Sequence, residues 1–146
     1  MTSDRPLIRA EVPLEIPFHD VDSMGIVWHG HYIKYFEIAR TALMRQVGMD
    51  LEEMARTGCL WPVVTCEVKY IKPLRYGQKV LVEAVLEEYQ ERLKIAYTVR
   101  DPGTGARLSR ARTVQLAVDA ATGELCFSTP PEMVAAIEAA SGTARP

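Results

Sequence analysis

The stretch from 31 to 47 limits what this chain can fold into more than any other. Tyr32, Phe36, Ala39, Leu43 and Val47 recur at helical spacing, and Gly48 is placed to end the helix. Ile33, Tyr35, Ile38, Ala42 and Met44 widen that stripe until few faces stay polar. A helix apolar nearly all round is a buried helix, so the rest of the chain has to wrap it. The wrapping material follows directly. Val64, Cys66, Val68 and Tyr70 alternate with polar residues until Lys72 and Pro73 end regular pairing. Further alternating runs cover 80–87, 95–100 and 109–119, and the segment 101–105 between the last two is rich in turn residues. These strands are expected to form an antiparallel meander. A strand at 14–18, a short helix at 51–56 and a weak helix at 130–140 complete an α+β pattern, a curved sheet around one helix.

With 146 residues, the chain is expected to make one domain over 1–140 and a frayed tail over 141–146. Hydrophobic residues make up 48% and charged residues 25%, enough for a packed core and against disorder. The formal charge is -2 and no basic block is present, which argues against a nucleic-acid partner. Cys59, Cys66 and Cys126 fit no ligand spacing and read as reduced thiols. No run resembles a signal-peptide core or a membrane span, so the expected location is cytoplasmic. A small open sheet needs its edge covered, so at least a dimer is expected.

All three histidines fall within 19–31, together with Asp20 and Asp22, immediately before the helix. The first amides of a helix lack internal partners and carry the positive end of its dipole. Asp22, held in a tight turn that Gly25 permits, could therefore face a carbonyl whose oxygen is pinned by amides near Trp28 to Gly30. That geometry suits acyl transfer, and a thioester is a ready target because its thiolate leaves easily. The same residues admit plainer roles. Asp20 and Asp22 read equally as turn and capping residues. His19, His29 and His31 lack a recognised metal-ligand spacing, and Cys66 reads as a packed strand residue. Glu37 and Arg40 are either a mutual i,i+3 pair or a substrate contact, and Arg92 and Lys94 are either solvated or hold phosphates.

Phe18, Asp20, Asp22, Gly25-Ile26-Val27-Trp28, Tyr32, Glu37 and Ala39-Arg40-Thr41 resemble the hotdog-fold thioesterases of the 4-hydroxybenzoyl-CoA type. The pattern is also similar to the acyl-CoA thioesterase branch associated with the Tol-Pal cluster. His31 replaces that branch's asparagine, and Trp28 matches the 4-hydroxybenzoyl type instead of its tyrosine. The likeness continues through 67–73 and 77–80 and covers roughly 14–119. The resemblance implies hydrolysis of an acyl-CoA without cofactor or metal, by a homodimer or homotetramer whose active sites form across the subunit interface. It puts the catalytic carboxylate at Asp22 and the carbonyl-polarising amide at His29. Gly25, Val27, Trp28, Tyr32 and Glu37 would surround the substrate, and Arg92 is the one position of the family's basic run that carries over. A noncatalytic module that binds acyl-CoA or an acyl carrier protein remains the alternative, and a hotdog hydratase ranks behind both.

Overall fold

A computed structural model describes residues 8–141. The chain opens with β1 (Arg9–Glu15), runs through a loop into α1 (Tyr32–Gln46), and turns into α2 (Leu51–Arg56). The strands β2 (Cys59–Leu60), β3 (Val63–Tyr70), β4 (Lys79–Glu88), β5 (Leu93–Arg100), β6 (Arg107–Gln115) and β7 (Val118–Asp119) follow, and α3 (Pro131–Ser141) closes the described chain. Five strands form one antiparallel sheet in the order β1-β4-β5-β6-β3, and β2 pairs with β7 in a small second sheet.

The sheet curves over α1 because period-two alternation gives it one apolar face. Val80, Val82, Ala84 and Leu86 of β4 and Leu93, Ile95, Tyr97 and Val99 of β5 are all buried on that face. Tyr35, Phe36, Ala39 and Leu43 of α1 meet them, with the Phe36 ring 5.1 Å from the Tyr97 ring. Removing one such aromatic from a closed core costs about 3–5 kcal/mol, so this seam fixes how the helix lies on the sheet.

Four expectations need correcting. The 64–70 strand does not join a meander with its successor: β4, β5 and β6 are consecutive neighbours, but β3 lies beyond β6 at the far edge. The connection 71–78 is used to cross the sheet, buried at Leu74 and tied to Ile16 by backbone bonds through Gly77 and Gln78. The first strand is Arg9–Glu15 instead of 14–18. Its Pro13 is tolerated because β1 is an edge strand, and the chain then turns at Phe18–Asp20. The pairing expected over 109–119 stops at Gln115, and 118–119 belongs to the second sheet. Lastly, α1 is not wrapped all round: Ile33, Glu37, Ile38 and Thr41 are exposed in the chain.

β3 is also exposed along both faces, and Cys66, expected to be packed, lies open on it. Because β3 bonds only to β6 among the described residues, one edge of backbone groups there faces away from the sheet. Ser141 ends α3, and the remainder of the expected tail, 142–146, lies outside the described residues. Among the described residues no helix is long and apolar enough to cross a membrane.

Candidate active site

Residues 20–28 fold back on themselves as a short finger. The Trp28 amide donates to the Asp20 carbonyl at 3.2 Å, Val21 pairs with Val27, and the Asp22 amide donates to the Ile26 carbonyl at 2.8 Å. A tight turn closes the tip, where the Gly25 amide donates to the Asp22 carbonyl at 2.9 Å. Gly25 has φ 80, a left-handed conformation that a side chain resists. Asp22 therefore stands at the finger's tip, and its exposed carboxylate accepts the Met24 amide through Oδ1 at 2.8 Å. The tip is about 7 Å, two strand residues, from the Asp20–Trp28 pair that forms the base.

Asp20 anchors that base. Its carboxylate is buried and accepts hydrogen bonds from Lys34 Nζ at 2.7 Å and the Tyr35 hydroxyl at 2.6 Å, both on α1. Burial by itself would raise the acid's pKa, but the Lys34 and Tyr35 hydrogen bonds outweigh it and hold Asp20 below the usual carboxylate range. The Tyr35 hydroxyl is pushed well above its ordinary value, by burial first and then by the Asp20 charge it faces. Asp20 is thus neither a turn residue nor a cap, since its side chain bonds two α1 side chains across the fold. Its role was missed in the sequence because the spacing to 34 and 35 has no local signature.

The helix start is arranged to receive a negative charge. The Trp28 amide is used by Asp20 and the His31 amide by Trp28, but among the described residues the His29 and Gly30 amides donate to no protein acceptor. Both stand in the 3-10 turn that leads into α1, at the positive end of its dipole. Trp28 lies over this turn so closely that a Cβ at Gly30 would fall 2.3 Å from its Cζ3. Only glycine at 30 lets the indole take that place. On the other side Tyr70 of β3 donates to the His29 carbonyl at 2.9 Å, and its ring meets the Tyr32 ring at 4.8 Å. The need for glycine at 30 and the contacts of Tyr70 were not read from the sequence. The sole available hint for Gly30 was a glycine between two histidines where the helix begins.

The remaining candidates separate into two groups. Val27, buried in the finger, and Trp28, half-exposed beside it, lie with His29 and Tyr32 around the helix start, while Gly25 stays at the finger's tip. Glu37 and Arg40 lie further along α1 and do form the i,i+3 pair, at 3.6 Å. The Cys66 thiol is raised by desolvation, while Arg40 lowers it and Glu37 raises it. Arg92 is far along the chain, after β4, with its guanidinium on Glu88 at 2.9 Å, and Lys94 reaches the same carboxylate at 3.6 Å. No group of three or more possible metal ligands converges among the described residues.

A long helix lying against a curved antiparallel sheet is the hotdog fold. The protein is of the thioester hydrolase class. It belongs to the thioesterase-like superfamily, whose profile matches residues 16–137. A Synechocystis protein named provisionally as an esterase is 30% identical over 122 residues, 83% of this chain and 74% of its own length. A Bacillus subtilis protein named provisionally as an acyl-CoA thioesterase is 38% identical over 76 residues. That match takes 52% of this chain, which spans only 55% of the Bacillus protein. The crystal structure of a DHNA-CoA thioesterase from Staphylococcus aureus superposes with a TM-score of 0.78 at 23% identity, covering 94% of this chain and 96% of the other.

Proposed function

We propose that the protein hydrolyses acyl-CoA thioesters, with Asp22 acting as nucleophile or general base and the amides of His29 and Gly30 holding the oxyanion. The observation that carries this reading is the pairing of two free helix-start amides with a carboxylate at the tip of the finger that begins beside them. A carbonyl oxygen bound at the amides leaves its carbon open to attack from the Asp22 side, and charge on the oxygen grows against the helix dipole. As nucleophile, Asp22 displaces the thiolate to give a mixed anhydride that water cleaves to the free acid and Asp22; as general base, it takes a proton from the water that attacks, and the thiolate leaves as the free acid forms. Gly25 supplies the turn that presents Asp22, Val27 and Trp28 the wall above the amides, and Tyr32 and Glu37 the side along α1. The Bacillus relative's description supports a CoA thioester as substrate.

The exposed Asp22 implies that a second surface closes the site. A homodimer, or a homotetramer built from two, supplies it if the free edge of β3 pairs with its copy, which would bring a partner surface against the α1 face left open in the chain. Arg92 serves CoA phosphates in this reading only by leaving Glu88. Free thiols fit a cytoplasmic setting.

The test is thiol release from short, long and aryl acyl-CoAs by the wild type and Asp22→Asn. Because Asp22 is exposed, the variant should fold as the wild type does and lose ~10²-fold or more in kcat. Loss of only a few-fold overturns the role of Asp22. Tight acyl-CoA binding without any thiol release would make the protein a binding module instead. Single-turnover labelling with heavy-oxygen water separates the two catalytic routes, since only a covalent anhydride can leave label in the Asp22 carboxylate.

A further inference from the structure

The carbonyl of His29 and the N–H of Gly30 belong to one planar peptide group, joined by the resonance that gives its C–N bond double-bond character. That carbonyl carries two donors. The Tyr32 amide donates to it within the 3-10 turn, and the Tyr70 hydroxyl reaches it from β3, 41 residues along the chain, at 2.9 Å. The preceding peptide is different: among the described residues the Trp28 carbonyl accepts the His31 amide at 2.9 Å and no side-chain donor. A hydrogen bond to a carbonyl oxygen draws electrons through the peptide toward that oxygen, and the N–H at the other end becomes a stronger donor. The added donor therefore acts on the Gly30 N–H and not on that of His29, although both amides are free.

The hydroxyl is also aimed. The Tyr70 ring meets the Tyr32 ring at 4.8 Å and the His29 ring at 6.1 Å, edge to face in both cases, with interplanar angles of 87° and 79°. Contacts with two rings restrict its rotation, so the oxygen is in place before charge develops. Desolvation holds the phenol above its ordinary pKa, which keeps it a protonated donor through the neutral range.

We infer that Tyr70 is a positioning residue of the proposed site, its hydroxyl polarising the His29–Gly30 peptide so that the Gly30 N–H is the stronger of the two oxyanion donors. This rests on the thioesterase reading and adds a residue to its machinery. Tyr70 touches no reacting atom and transfers no proton. As negative charge grows on the substrate oxygen, the Gly30 peptide passes part of it to the His29 carbonyl, and the bond from Tyr70 tightens. Removing an oxyanion donor outright costs about 10²–10³-fold in rate, and cooperative strengthening of one bond is roughly 10–30%. The hydroxyl should therefore be worth about twofold to eightfold in kcat.

The experiment compares kcat and KM for thiol release from one acyl-CoA in the wild type, in Tyr70→Phe and in a protein carrying 3-fluorotyrosine at position 70, at a pH where each phenol stays protonated. Tyr70→Phe deletes one oxygen and keeps both ring contacts. It should lose the stated factor in kcat, with KM and melting temperature little changed. The fluorinated phenol is the stronger acid and the better donor, so it should raise kcat above the wild type, which a residue that only props the turn would not do. A second readout is independent of turnover: the amide nitrogen resonance of Gly30 should move upfield in Tyr70→Phe and downfield with 3-fluorotyrosine, while that of His29 stays in place. Thiol release with an unchanged kcat in Tyr70→Phe overturns the inference and leaves the thioesterase reading intact. A fall in kcat without the fluorotyrosine rise, or without the Gly30 shift, makes Tyr70 a structural prop and overturns it equally. No thiol release by the wild type overturns the thioesterase reading, and this inference with it.

Discussion

Asp20→Ala tests how the site is held together. The substitution deletes the acceptor for two α1 side chains at once. Lys34 is half-exposed and can turn to water, so its share is small, on the order of 1 kcal/mol or less. Tyr35 is 3% exposed, and stranding its hydroxyl costs about 1–3 kcal/mol. The sum, roughly 2–4 kcal/mol, should lower the melting temperature by roughly 10 °C in a domain of this size. Urea unfolding followed by far-UV circular dichroism measures it directly. Adding Tyr35→Phe should recover part of the loss, because removing both partners of a buried bond costs less than removing one. The pH dependence has a definite sign. Asp20 is held below its unfolded pKa of ~3.9, so its contribution is complete above that value and fades as pH falls through the lower folded one. The gap between wild type and Asp20→Asn should therefore narrow from pH 5 toward pH 3. A cost within 0.5 kcal/mol of zero for Asp20→Ala, or no recovery by Tyr35→Phe, would refute the anchoring argument.

Gly30→Ala should drive the indole of Trp28 off the helix start and lower kcat/KM for thiol release about tenfold or more, with little change in melting temperature; unchanged kinetics would show that Trp28 does not wall the site. Val68→Lys places a charge on the inward face of β3, and sedimentation should then show weaker self-association than the wild type, whereas a wild type already monomeric at micromolar concentration would contradict β3 pairing. Among the thiols, exposed Cys66 should react first with an aromatic disulfide reagent, and buried Cys59, raised by burial and by Cys126 with its sulfur 3.8 Å away, should react last; the reverse order would be inconsistent with the burial of Cys59.

What the sequence disclosed follows the range of the forces involved. The bounds of α1 and α2 were readable because helical period and end signals are local, down to Gly48 after the first and Leu51–Arg56 for the second. The turn at Gly25 was readable for the same reason, and with it the placement of Asp22. The runs of β3, β4 and β5 and the β4-β5-β6 meander were readable, but the bounds of β1 and β6 and the place of β3 in the sheet were not. Alternation says that Val63–Tyr70 has two faces, yet nothing in those residues says that it pairs with β6 across the sheet. The error about Cys66 follows from that one, since an edge strand in a single chain leaves its side chains open. Asp20 was named, but its anchoring role was not, because its partners are fourteen and fifteen residues away on a different element. Amides near Trp28 to Gly30 were expected to be free because a helix start always leaves some unpaired, but the fit of Trp28 over Gly30 depends on a contact that no spacing encodes.

The strand order also dictates when the parts of the proposed site become an assembly. The carboxylate finger, the long helix and the edge strand all lie before residue 71, yet β1 is held by β4 and β3 by β6, whose sequences come later. β4, β5 and β6 can zip together through short turns with little loop-closure penalty, and the earlier segments then dock on either flank of that platform. During synthesis, the first half of the chain must wait with its apolar helix uncovered until residue 115 has left the ribosome. A chain that stalls between 71 and 107 would carry the finger, the long helix and the β3 segment without the sheet that holds them together, and holdase chaperones would find their target in that interval.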